Sequence, residues 1–216
     1  MIKDTLGESL MRVAAILSLV LSFSTFCATA ADEPRHTVIV KDKKFEIRQY
    51  QPMIVAEVTV TGDMRKAGNS GFRPLADYIF GNNQPARKIA MTAPVTRTAS
   101  TKIAMTAPVT RVRNADSSWV VAFVMPDKWT AETLPKPNNP DVTIRQVPSE
   151  TMAIIKFSGR GGQAANDDHR RTLEKWIAEQ GYLEIGDPRY AGYDAPWVPS
   201  PLRRNEVMIP VASHAD

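Results

Sequence analysis

The chain has one cysteine in 216 residues, Cys27. A single thiol forms no intrachain disulfide, and cysteine-ligated zinc and iron–sulfur sites are excluded. Histidine is sparse: His36, His169 and His214 are far apart. There is no HExxH, no nucleophile elbow, no phosphate-binding glycine loop and no paired-carboxylate signature. Ser158–Gly162 is glycine-rich but follows no nucleotide fingerprint, so it reads as a flexible link. These absences give no support to an enzyme. After the first thirty residues no apolar run reaches the roughly 20 residues of a membrane span. The net charge of +4 is spread over Lys41, Lys43 and Lys44, Arg170 and Arg171, and Arg203 and Arg204. Without a basic stripe interleaved with aromatics, nucleic acid is not an expected partner. A mild attraction for anionic ligands is all this charge implies.

The first thirty residues differ in kind. Val13–Phe26 is apolar and uncharged, Arg12 precedes it, and Ala28-Thr29-Ala30 offers a small-x-small cleavage site. The pattern predicts a secretory signal peptide over 1–30, with a remaining chain over 31–216 that has no thiol and no stable membrane insertion. Asp4 and Glu8 offset Lys3 and Arg12, and a start at Met11 gives a cleaner leader. Two other readings stay open: an uncleaved anchor, and lipidation at Cys27, which Phe26 disfavours. The expected location is periplasmic or secreted.

Phe45–Tyr50 alternates apolar and polar residues, and Met53–Val60 is rich in β-branched residues, so both predict strands separated by a turn or bulge at Gln51-Pro52. Met64, Phe72, Leu75, Ala76 and Ile79 share a helical face, ended by Gly81-Asn82-Asn83. Gly68 and Gly71 weaken this helix and place its start nearer Phe72. Strands follow at Trp119–Met125, Val142–Val147 and Thr151–Phe157. A second helix is expected over Ala164–Gln180, with Ala165, His169, Leu173, Trp176, Ile177 and Gln180 inward. Short strands are expected at Tyr182–Ile185, Arg189–Tyr193 and Glu206–Ile209, and His36 and His214 fall in mobile tails. The order predicts an α+β fold: a distorted antiparallel β-barrel of two pseudo-symmetric halves, flanked by two helices.

KIAMTAPVTR occurs twice, at Lys88–Arg97 and Lys102–Arg111. In each copy isoleucine, methionine, alanine and valine fall on one face of a half-buried strand. Pro94 and Pro108 place the copies at an edge, a bulge or a rim. Thr98–Thr101 has hairpin-loop length, so antiparallel pairing with residue numbers summing to 199 is expected. Two readings compete: a duplicated hairpin whose methionines fill a core, and a soft apolar wall for a flat ligand.

FEIRQYQP (Phe45–Pro52), GFRPLADYIFGNN (Gly71–Asn83), both KIAMTAPV stretches, FVMPDKWTAETLPKPNNPDV (Phe123–Val142) and GYDAPWVPSPLRRNEV (Gly192–Val207) together resemble the SOUL heme-binding protein family. The resemblance runs from about Phe45 to Val211. It implies non-covalent binding of heme, of the b type, or of another tetrapyrrole in an apolar groove. Where animal members are thought to ligate iron by histidine, this chain has Gln49, a poor iron ligand, so binding by apolar contact fits better. The expected binding residues are Gln49, Tyr50, Met91, Met105 and Met125, with no protein metal ligand. The function expected is that of an exported, non-enzymatic carrier or buffer. The alternatives are an envelope protein-interaction module and an enzyme acting on a small ligand.

Overall fold

Alternating and β-branched stretches become strands, and the two amphipathic segments become helices. In the computed structural model, residues 33–84, 100–195 and 197–213 are described. The leader, the first repeat copy with Met91, and His214 lie outside them. The elements are β1 (His36–Asp42), β2 (Phe45–Tyr50), β3 (Met53–Val60), α1 (Met64–Phe80), β4 (Asn83–Gln84), β5 (Val109–Arg113) and β6 (Trp119–Val124). There follow β7 (Lys136–Pro137), β8 (Thr143–Val147), β9 (Glu150–Ser158), α2 (Gln163–Glu179), β10 (Tyr182–Glu184), β11 (Arg189–Gly192) and β12 (Arg204–Ser213).

The main sheet runs β1-β2-β9-β12-β11-β5-β6-β3-β8, with β10 on β12 and β4·β7 apart. From β8 the path β8-β3-β6-β5 meets β11-β12-β9-β2, and each half carries one helix, after β3 and after β9. The two halves therefore mirror each other about the β5·β11 contact, which is the expected α+β fold with pseudo-symmetric halves. One ribbon ties the ends of the sheet together. Phe45–Tyr50 pairs with Ile155–Glu150, and Met53–Glu57 pairs with Val147–Thr143. The partner sum is 200 in both stretches, so the register carries across the gap and sets Pro52 opposite Pro148. Neither proline can donate to a ladder. The ribbon bends there, and the sheet curls into a half-barrel.

Both helices pack on the outer face. Leu75, Tyr78 and Ile79 of α1 meet Val121 and Phe123, while Leu173, Trp176 and Ile177 of α2 meet Ala153, Ile155, Val207 and Ile209. The inner face carries Tyr50, Met152, Ile154 and Met208 in one half, and Val55, Ala122, Val124 and Val147 in the other.

Several expectations change. α1 begins at Met64, capped by Asp63 Oδ1, which accepts from the N–H groups of Arg65 and Lys66 at 3.0 and 2.9 Å. Its glycines serve close approach: a Cβ at Gly71 would stand 2.5 Å from Val121 Cγ2, and one at Gly68 would stand 3.3 Å from Arg111 Nη1. On α2, Asn166 in the first turn is buried, which was not expected, and Gln180, expected inward, is exposed at the C-cap. β12 runs well past Glu206–Ile209 at both ends, because β9, β10 and β11 all pair with it.

His36 is not in a tail. It opens β1 opposite Tyr50, a strand whose mostly exposed residues give no alternation signal. The second repeat copy joins the ladder only from Val109. β5 is flanked by β6 and β11 on its two sides, so Val109–Arg111 has no free edge for the expected pairing with the first copy. Thr106 is buried and Met105 exposed, opposite to the expected faces; the Thr106 hydroxyl donates to the Val124 carbonyl.

Gly71→Ala is expected to destabilise the protein by about 1–3 kcal/mol through overpacking against Val121. Gly68→Ala meets only the end of a flexible arginine and gains helix propensity, so it should stay within about 1 kcal/mol of wild type. Urea unfolding of the two variants checks the contrast.

Candidate functional site

Two features stand out at the bend: a buried ionic network on the inner face and a cleft at its rim. Period two sends Glu46, Arg48 and Tyr50 to the same side of β2. Arg48 is 1% exposed and Glu206 0%. The Arg48 guanidinium donates to Glu206 Oε1 and Oε2, both at 3.0 Å, to Glu46 Oε2 at 2.7 Å and to the Tyr50 hydroxyl at 2.8 Å. Glu206 also accepts from the Tyr193 hydroxyl at 2.6 Å and from Arg204 at 2.8 Å. Lys156 donates to Glu46 at 2.7 Å, and Arg204 donates to Glu33 at 2.7 Å. Arg48, Lys156 and Arg204 thus balance Glu46, Glu206 and Glu33.

Burial raises the pKa of the Glu206 carboxyl, but the hydrogen bonds and charge of Arg48, with Tyr193 and Arg204, bring it below its ordinary value. Glu46 is likewise raised by burial and brought below the ordinary range by Lys156 and Arg48. Burial pushes the Tyr50 hydroxyl up to about 12. The network is a locked structural core. Its charged groups are paired, as buried charges must be.

The cleft lies outside that core. A cavity of about 670 Å³ is lined by Gln51, Pro52, Met53 and Ile54 from one arm of the bend, Gln146, Val147 and Pro148 from the other, and Met125–Asp127 with Trp129–Glu132 beyond β6. Arg35 also lines it. A neighbouring cavity of about 390 Å³ shares Arg35, Met125, Pro126 and Asp127, and adds Glu33, Pro34, Ala104, Thr106, Val124 and Lys128. The Arg35–Asp127 ion pair stands where the two meet. Trp129 lines the larger cavity, and its indole N–H is buried with no hydrogen-bond partner among the described residues.

The expected binding residues scatter. Met125 lines both cavities. Tyr50 is buried in the ionic network. Gln49 holds the bend: its Nε2 donates to Ser149 Oγ at 2.7 Å and its Oε1 accepts from the Thr151 hydroxyl at 2.5 Å. Ser149 Oγ donates onward to the Tyr50 carbonyl at 2.7 Å, tying the two arms together beside the prolines. Met105 is 39% exposed and lines neither cavity; Met91 lies outside the described residues. No cluster of metal-ligating side chains occurs among the described residues. His169 stacks on Phe157 at 4.0 Å, with Nδ1 2.7 Å from the Ala165 carbonyl oxygen.

Sequence reading missed Arg35, Asp127, Trp129 and the Pro52/Pro148 pairing. The last had a signal: both bends are strand–proline–strand, in segments with the same alternation.

The architecture is that of an α+β protein with a curled antiparallel sheet, two helices on its outer face and an open, partly apolar cleft at the bend. The chain belongs to the SOUL heme-binding protein family, whose model matches residues 31–210. It is 29% identical over 167 residues to human (Homo sapiens) heme-binding protein 2, covering 76% of this chain and 77% of that protein. The mouse (Mus musculus) protein is 29% identical over 155 residues, 71% of each chain. Among solved structures, the EcmrR C-terminal domain superposes with a TM-score of 0.57 at 14% identity, covering 78% of this chain and 97% of that one. A hydrolase from Listeria innocua gives 0.53 at 12% identity, over 81% and 94%. At those identities the structures share the fold and nothing more.

Glu206→Gln should cost about 3 kcal/mol or more, since it unbalances a buried pair. Glu46 and Glu206 titrate lower folded than unfolded. Their stabilisation is therefore complete above about pH 4.3, the free-carboxylate value, and is lost as pH falls through the folded values. Denaturant unfolding from pH 7 to 3 should show wild type losing stability steeply on the acid side, and Glu206→Gln losing less.

Proposed function

We propose that this protein binds heme or a related tetrapyrrole, reversibly and without covalent attachment, in the cleft at the bend. It serves as a non-enzymatic carrier or buffer outside the cytoplasm. The observation that carries the reading is the cleft of about 670 Å³, with Met53, Ile54, Met125, Trp129 and three prolines around it. That volume falls within the roughly 300–1,000 Å³ of small-molecule sites. Family membership and the names of the human and mouse relatives point to the same ligand class. The signal-like leader supports export.

The residues present fit such a group. A porphyrin face is flat and apolar, and the half-buried Met53 thioether and Trp129 ring offer an adaptable surface for it, with buried Met125 behind the wall. Bound heme would supply a redox-active iron and a strong Soret absorption. The chain's own residues bury one face and orient it. Covering about 300 Å² at roughly 25 cal/mol per Å² yields about 7 kcal/mol before association costs, which favours micromolar, exchangeable binding.

A second reading draws on Trp197 and Leu202, 85% and 72% exposed near the 3-10 turn Ser200–Leu202, which favour a protein-interaction surface. Under the carrier reading Trp197→Ala leaves hemin binding untouched.

Titration of the protein lacking residues 1–30 with hemin should give a saturable Soret shift at low micromolar concentration. Met53→Glu should weaken it by about tenfold or more, the equivalent of roughly 1.4 kcal/mol. Gln49→Ala should leave affinity within about twofold while lowering stability by about 1 kcal/mol, as loss of its hydrogen bonds requires. No saturable shift, or a large affinity loss at Gln49 alone, overturns the reading.

A further inference from the structure

The two cavities share a wall of Arg35, Met125, Pro126 and Asp127, in which Arg35 and Asp127 form an exposed ion pair. Arg35 and Asp127 line both, and their side chains are 70% and 51% exposed. An exposed pair is easily opened, because water replaces either partner. The backbone around Arg35 is not free in the same way. The Arg35 carbonyl accepts from the Gln51 N–H at 3.0 Å, Glu33 is tied to Arg204 at 2.7 Å, and His36 Nδ1 lies 2.9 Å from the Pro34 carbonyl oxygen. Residues 33–36 are pinned to the sheet, and the Arg35 guanidinium is the part of that segment able to change partners.

The other charges facing the cleft narrow the assignment. The carboxylates are Glu33, Asp127 and Glu132. The second cation, Lys128, lines only the smaller cavity, with its ammonium 5.6 Å from the centre of the Trp129 ring. Arg35 is the cation common to both cavities. A planar guanidinium binds a carboxylate by two parallel hydrogen bonds.

We infer that Arg35 is the carboxylate receptor of this cleft and that Asp127 is its resident stand-in. A ligand carboxylate takes the place of Asp127 on the guanidinium. This rests on the tetrapyrrole reading and adds a requirement to it: the ligand carries at least one free carboxylate. Selection is by charge exchange at the lip, while the apolar floor is indifferent to the ligand's edge.

The test compares hemin with hemin dimethyl ester, whose carboxylates are blocked, by Soret titration of the full chain and its variants at low salt. Both substituted residues are exposed, so the variants keep the fold, which circular dichroism verifies. Hemin should bind Arg35→Gln about tenfold more weakly than wild type, and Asp127→Asn about threefold more tightly, because the internal competitor is gone. The ester should bind wild type more weakly than hemin, and both variants should bind it within about twofold of wild type. Equal binding of hemin and ester by wild type, or equal losses for both ligands in Arg35→Gln, overturns the assignment of Arg35 alone. Absence of a saturable shift with either ligand overturns the tetrapyrrole reading, and this assignment with it.

Discussion

Proline has no N–H to give to a ladder, and this chain sets Pro52 and Pro148 opposite each other in one ribbon. Almost everything distinctive about the structure depends on that constraint. Pairing holds a single register on both sides of the gap, so the two halves of the sheet are continuous in sequence yet bent in space. Beside the gap, Gln49, Ser149 and Thr151 side chains cross-link the two arms, and the Arg35 carbonyl extends the β1·β2 ladder to Gln51. Because the ribbon turns there, β6 ends with Met125 beside Ile54, whose carbonyl accepts the Met125 N–H at 2.7 Å, and a cleft is left at the corner.

The inner face solves a different problem. A curled sheet with both helices outside must fill its concave side from its own strands. One half does so with aliphatic side chains. The other buries Arg48 against Glu206 and Glu46, with Tyr50 and Tyr193 completing the hydrogen bonding. Such a network adds little net stability over a well-packed apolar core, but it tolerates no missing partner. At the rim, by contrast, Arg35, Asp127 and Lys128 face solvent, where an ion pair is weak.

Legibility in the sequence followed the range of the forces involved. β2 was readable from its alternation, β3, β6 and β9 as apolar runs rich in β-branched residues, and both helices from helical spacing. β1 was not, since its residues are mostly exposed and its register shifts between Val38 and Val40. The start of α1 was misplaced because Gly68 and Gly71 look like weak helix formers. Their purpose, to let Arg111 and Val121 approach, appears only across the sheet. Of the candidate site residues, Met125 lies in the cleft. Gln49 and Tyr50 sit beside it with structural partners. Met105 points outward because its stretch precedes the ladder that begins at Val109.

Local patterning determined which segments are strands and which are helices, that the fold is α+β with two similar halves, and which family the chain resembles. All of these rest on neighbours within a few residues or on whole motifs. The tertiary structure alone decided where the cleft lies and which charges line it. Arg35 and Asp127 are far apart in the sequence, as are Pro52 and Pro148 and as are Arg48 and Glu206. Only long-range strand pairing brings each pair within reach.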